Sequence, residues 1–199
     1  MEMDPAMSTS RLTVVNPQAY DEAQRRAHDR IAAGPRAGVR GPLALWLHSP
    51  DFAERAQQLG EFLRFGTSFE ARLSELAILV VAREWQCAYV WLVHEPIARR
   101  AGLDAAFVDA LALDADAVPD GADERAIALF CRQLLRHGSV DDAVRTEVIE
   151  RHGERGCVEL TGITGYYTMG AFTLACANLP MPGGEPPPFS GPRGAAGTP

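Results

Sequence analysis

The stretch over residues 74–96, SELAILVVAREWQCAYVWLVHEP, constrains the fold more than any other part of the chain. Residues 76–82 are apolar without a break, and a helix that is apolar all round is buried on every side. The run is far shorter than the ~20 apolar residues a membrane span needs, so it predicts the centre of a soluble core and no membrane partner. Trp85-Gln86 marks a break before a second helix over residues 87–101, with Pro96 inside it as a source of a kink. In that helix Cys87, Val90 and His94 stand at i, i+3 and i+7, which is one stripe. Glu75 belongs to the earlier helix, which folds back beside this stripe. The expected centre is an antiparallel helix hairpin over residues 68–101.

The flanking sequence supplies helices and no strands. Asn16-Pro17 reads as a cap and first-turn proline for a helix over residues 17–33, closed by Gly34-Pro35. Ser49-Pro50 repeats the signal for a helix ending near Gly66, and Ser68 is placed to cap the core helix. Further helices are expected from Asp104 to Leu113, from Asp123 to Arg136 with a stop at Gly138, from Ser139 to His152-Gly153, and from Glu154 to Asn178. The last of these contains Gly162, Gly165 and Gly170, at a cost of ~1 kcal/mol each relative to alanine. Close helix packing or a ligand must offset that loss. No period-two pattern survives, so the expected fold is an all-α bundle of about eight helices. It forms a single domain over residues 11–180, between a disordered leader, residues 1–10, and a disordered Pro/Gly-rich tail, residues 181–199.

The 199-residue chain has a net charge of -7 and an isoelectric point near 5.2, which argues against a nucleic-acid partner. Cys87, Cys131, Cys157 and Cys176 form no C-x-x-C or zinc-type cluster, so free thiols in a reducing cytoplasm are expected, with no metal site. Residues 1–10 lack the basic start and apolar run of a signal peptide.

Glu75 lies among Leu76, Ile78 and Leu79, where a carboxylate requires a partner, and His94 is the candidate. A satisfied core ion pair is the plainer reading of the same two residues. Cys87 reads either as a small hydrophobe or as a reactive thiol. The loop over residues 34–42 carries Arg36 and Arg40, which serve either as a bidentate clamp on a substrate carboxylate or as solvated cations. Trp46, Tyr89, Val90 and Trp91 are candidate pocket walls. His48 is either pocket lining or a structural histidine. Tyr166, with Tyr167 and Met169, is placed to face the pocket or to fill core.

Glu75, Cys87 twelve residues on, Tyr89, and His94 seven after the cysteine resemble the signature of the carboxymuconolactone decarboxylase and alkylhydroperoxidase D superfamily. The resemblance covers roughly residues 17–180. In the redox members a glutamate is followed by a C-x-x-C pair and a histidine. Here Val90 stands at the second cysteine position, so the dithiol cycle, in which one sulfur is oxidised and the other closes the disulfide, should be lost. The chain is more similar to the lactone decarboxylases, which work without the cysteine pair and without a cofactor. The resemblance therefore implies an alkylhydroperoxidase D-like bundle, a small carboxylate or lactone substrate, and trimers or hexamers. His94 would protonate the dienolate left by decarboxylation, oriented by Glu75. Isomerisation on a metabolite ring is adjacent chemistry. The alternatives are a single-cysteine thiol peroxidase using Cys87 with an outside resolving thiol, and a non-catalytic oligomeric binding protein.

Overall fold

Helix signals in this sequence are cap residues followed by apolar faces, and the computed structural model shows which of them act. It describes residues 12–36, 38–177, 179, 181, 183 and 189. Among these residues there are eight α-helices and no named strand. The helices are α1 (Glu22–Ala32), α2 (Pro42–Trp46), α3 (Pro50–Phe65), α4 (Ala71–Glu84), α5 (Ala88–Arg100), α6 (Ala105–Leu113), α7 (Ala122–His137) and α8 (Asp142–Ala175). A single parallel bridge joins Leu12 to Ala177.

The apolar run of α4 is the centre of the bundle. Residues 76–82 are all fully buried, and α4 packs against α5, α7 and α8. The turn between α4 and α5 closes with paired bonds, Cys87 N–H to the Ala82 carbonyl at 2.8 Å and Gln86 N–H to that of Arg83 at 3.1 Å. This is the Schellman pattern, and it places Gln86 at φ 48°, a region where glycine is usual. The tight reversal brings the first turns of α4 beside the second half of α5. Gly102, at φ 91°, ends α5 with the same two-bond pattern.

Several helix starts differ from their sequence signals. Asn16 caps only a 3₁₀ turn over Pro17–Ala19, and α1 begins later, behind a capping box between Asp21 and Gln24. Ser68 does not cap α4; its amide and hydroxyl both donate to Glu159 on α8, and Glu70 stands at the cap. A buried carboxylate is the stronger acceptor, so the serine turns away from the helix. Asp141, not Ser139, precedes α8. The expected break at Gly153 is present as a non-helical residue (φ 72°, ψ 171°) inside α8. The apolar run after Pro42, which carried no helix assignment, forms the short α2.

The expected leader lies outside the described residues, as does the tail apart from residues 181, 183 and 189. Phe189 packs edge-on to Trp91, with ring centroids 5.2 Å apart, and lies under the Arg83 guanidinium. No described helix is long and apolar enough to cross a membrane.

Candidate active site

Because α5 reverses on α4, Glu75 and His94 meet although nineteen positions separate them. His94 Nδ1 lies 2.7 Å from Glu75 Oε2, and the two side chains are 7% and 4% exposed. A carboxylate accepts, so Nδ1 carries the proton in this pair. Nε2 is left as the nitrogen that can exchange a proton with a ligand. The second carboxylate oxygen, Oε1, is 3.8 Å from Arg64 Nε, at the end of α3.

His94 is on the wall of a cavity of about 500 Å³. Val90 and His94, one turn apart on α5, form one side of it. Trp46 on α2, Tyr166 and Tyr167 on α8, and Arg36 and Arg40 from the loop after α1 complete the lining. The local sequence explains the arrangement. Gly41 has φ 57° and ψ -131°, conformations open to glycine, and a Cβ there would sit 2.7 Å from the Tyr89 ring. Gly60 on α3 leaves the space taken by the Tyr166 hydroxyl and by Arg36 Nη2, both of which a Cβ would overlap. The Trp46 indole donates to Thr173 Oγ1 at 2.9 Å and meets Tyr166 edge-on, which fixes that wall.

Of the candidate residues, Arg36, Arg40, Trp46, Tyr89, Val90, His94 and Tyr166 come together at this cavity, with Glu75 behind His94. Three lie elsewhere. His48 is exposed and its Nε2 donates to the Thr13 carbonyl at 2.8 Å, so it ties down the N-terminal segment. Trp91 is 3% exposed and packs on Phe189. Cys87 is absent from the His94 cavity and faces a smaller hollow of about 260 Å³ beside Trp85 and Leu174. The stripe geometry fails at Cys87 because it is the cap of α5, with φ -85° and ψ 83°, rather than a helical residue. Burial raises its thiol pKa, against the lowering effect of the Val90 and Tyr89 amides.

Arg64 and Arg100 also face the cavity, and the sequence reading missed both. Each sits in the last turn of its helix, where a cation is the ordinary complement of the helix dipole. The one available signal was spacing, since Arg100 follows Val93 by seven residues on the His94 side of α5. Tyr167 meets the His94 ring edge-on, with centroids 5.1 Å apart. Burial raises its phenol pKa; Arg36 and Arg64 lower it and Glu75 raises it further. Tyr167, Tyr166 and Tyr89 all have raised pKa values led by burial, so all three stay protonated at neutral pH and act as donors.

Fold and site together define an all-α bundle that holds a buried carboxylate–imidazole pair at the wall of an arginine-lined cavity. Residues 50–133 match the model of the carboxymuconolactone decarboxylase family, a stretch that runs from α3 into α7 and contains Glu75, Cys87 and His94. Comparison with curated proteins and with solved structures gives no match. Arg36, Arg40, Tyr166 and Tyr167 fall outside the matched residues, so half of the cavity is built by parts of the chain that the family match does not reach.

Proposed function

We propose that the cavity binds a small organic acid or lactone and that His94, held by Glu75, transfers a proton on it, in decarboxylation or a closely related isomerisation. The observation that supports this most is the 2.7 Å Glu75–His94 contact at a cavity that also carries Arg36, Arg40, Arg64 and Arg100. Four cations at one cavity of an acidic chain favour an anionic ligand. In decarboxylation the bond from carbon to the carboxylate breaks, carbon dioxide leaves, and the electron pair passes into the conjugated carbonyl as a dienolate. His94 Nε2–H then protonates carbon, and the imidazole regains its proton from water. Glu75 keeps Nδ1 protonated and stabilises the imidazolium that must form in each cycle. The apolar walls from Val90, Trp46 and Leu43 exclude water from the spreading charge. The test is carbon dioxide release, or loss of the conjugated chromophore, across a panel of unsaturated lactone acids, with wild type compared with His94→Gln.

Thiol peroxidase chemistry at Cys87 is the weaker reading. The thiol lies away from the His94 cavity, its pKa is raised by burial, and Val90 stands at the second cysteine position. Hydroperoxide turnover that disappears in Cys87→Ser would reverse this order.

The same reading includes self-association as a trimer or hexamer. The outward face of α8 supports it: Val158, Thr161, Gly165 and Phe172 are exposed and none is charged. Light scattering should give several times the 21.5 kDa of one chain, and a strict monomer across dilution would remove this part of the proposal.

A further inference from the structure

Among the described residues, eight buried side-chain nitrogen or oxygen atoms have no hydrogen-bond partner, and four of them belong to three residues of the His94 cavity. They are Arg36 Nε, Arg36 Nη2, Arg64 Nε and Tyr167 Oη. Three are guanidinium donors and the fourth is a phenol that can donate, and the Glu75 carboxylate 3.8 Å from Arg64 Nε is beyond hydrogen-bond reach. They arrive from three separate elements, the loop after α1, the last turn of α3 and the middle of α8. Leaving a buried donor without an acceptor is unfavourable by roughly 1–3 kcal/mol per group, more for charged ones. Chance unpaired groups would be scattered and would mix donors with acceptors. These four belong to residues that line one cavity, just beneath its surface, so a ligand that draws the side chains inward would supply the missing acceptor.

We propose that Arg36, Arg64 and Tyr167 form an oxyanion site beside His94, completed when their buried donors turn onto a bound ligand, and that it takes a planar conjugated oxygen, that of an enolate, dienolate or phenolate. This rests on the proton-transfer reading of the cavity and adds to it the place where the negative charge goes. A cation beside a carboxylate that is about to leave as carbon dioxide stabilises the starting state, because the charge moves away from it. Donors aimed at the carbonyl oxygen act where charge arrives, and only that interaction lowers the barrier. Arg40 and Arg100, both exposed at the same cavity, are the cations suited to holding a carboxylate. The electron pair released by the breaking carbon–carbon bond passes to the substrate's carbonyl oxygen, where the buried donors hydrogen-bond to the charge. Carbon regains its proton from His94, so no outside oxidant or reductant enters.

The edge-on contact with His94 sets the Tyr167 ring beside the imidazole, on the wall from which the proton comes. Both guanidinium charges reach the Tyr167 phenol, since Arg36 and Arg64 each act to lower its pKa. Burial outweighs them and the phenol keeps its proton, as an oxyanion donor must. Gly60 is a positioning residue in this arrangement, because a side chain there would displace Arg36 Nη2 and the Tyr166 hydroxyl.

Para-nitrophenolate is a stable mimic of a dienolate, and its visible absorbance reports its ionisation. The full-length protein should bind it as the anion and lower its apparent pKa. Tyr167→Phe should weaken binding about tenfold, the usual weight of a hydrogen bond to a charged group. It should also leave the melting temperature unchanged or higher, because the hydroxyl it removes has no partner in the free protein. Arg36→Met should weaken binding at least as much. Unchanged binding in Tyr167→Phe within twofold, with a lowered melting temperature, would make the tyrosine a structural residue and overturn the proposal. So would a wild-type protein that does not bind para-nitrophenolate. The outcome separates this site from the reaction it serves. Tyr167-dependent binding without turnover of any acid in the panel keeps the oxyanion site and removes the decarboxylase-like reading. Turnover that needs His94 but not the Tyr167 hydroxyl does the reverse.

Discussion

Glu75 on α4 and Glu159 on α8 are both almost wholly buried, at 3% and 6% exposed, yet their surroundings differ in kind. Glu159 is saturated. Its Oε2 accepts from the Ser68 amide at 2.6 Å and hydroxyl at 2.7 Å, and its Oε1 accepts from Arg155 Nε at 2.7 Å. Glu75 has one short bond, to an imidazole that itself faces a cavity, and one distant cation, Arg64 at 3.8 Å. A carboxylate whose acceptors are filled by backbone and hydroxyl donors fixes structure, because nothing remains for a ligand to change. A carboxylate bonded to a single titratable group at a cavity wall can alter the charge of that group whenever a ligand binds or a proton moves.

The largest expected effect breaks the comparison on the Glu75 side. His94→Gln keeps a polar side chain of similar reach but removes the transferable proton, so turnover of the identified substrate should fall ~10²–10⁴-fold, the usual weight of general acid–base catalysis. Helical circular dichroism should be unchanged. Glu75→Gln should also lower turnover, since an amide cannot offset the charge of the imidazolium. Full activity in His94→Gln would leave the pair as a buried ion pair of a binding protein.

Glu159→Gln should do the opposite. Hydrogen bonds to charged groups contribute roughly 1.5–3 kcal/mol, and the amide retains part of the Ser68 interaction, so a loss of about 1–2 kcal/mol of stability is expected in urea unfolding. Turnover by the folded fraction should equal wild type. An activity loss larger than the stability loss explains would erase the division between a structural and a functional carboxylate.

Acid sharpens the same division. Burial alone raises the Glu159 pKa, but the Ser68 hydroxyl and amide and the Arg155 guanidinium outweigh it and hold the carboxyl below its usual range. A carboxyl with a depressed folded-state pKa contributes stability that is fully present above its unfolded value of ~4.3 and is lost as pH falls through the folded value. Melting temperature followed downward from about pH 6 should therefore drop more steeply in wild type than in Glu159→Gln below about pH 4.5. Parallel curves for the two proteins would count against the saturated environment.

How much of this was legible in the sequence depended on the range of the interaction. The all-apolar run of α4, the all-α class and the Glu75–His94 contact were readable because periodicity and a short reversal determine them. The helix stops at Gly66, Gly102 and Gly138 were readable for the same reason. Ser68 was misread because its partner, Glu159, is ninety-one residues away, and no local pattern shows a serine turned toward another helix. Arg64 and Arg100 were missed because their positions in last turns already had an ordinary explanation. Trp91 was misplaced because an aromatic on the hairpin looks the same whether it faces a cavity or Phe189. Cys87 illustrates a finer failure, since one residue of non-helical backbone at a cap moves a side chain off the stripe that counting gives it.

The smallest effect separates the partners of Glu159 from one another. Arg155 is 68% exposed on its side chain, so the bond it donates competes with water, and exposed ion pairs contribute only about 0–1 kcal/mol. Ser68 is also exposed, but its amide and hydroxyl reach Glu159 with no long side chain to immobilise. Arg155→Ala should therefore cost less than about 0.5 kcal/mol, and Ser68→Ala about 1 kcal/mol, since it leaves the amide bond in place but strips the hydroxyl from a buried acceptor. Raised salt should shrink the Arg155 difference and leave the Ser68 difference almost unaltered, because screening acts on the exposed pair. If Arg155→Ala proved the more damaging change, Glu159 would be held by charge rather than by saturated hydrogen bonding. It would then resemble Glu75 more closely than its burial and distances indicate.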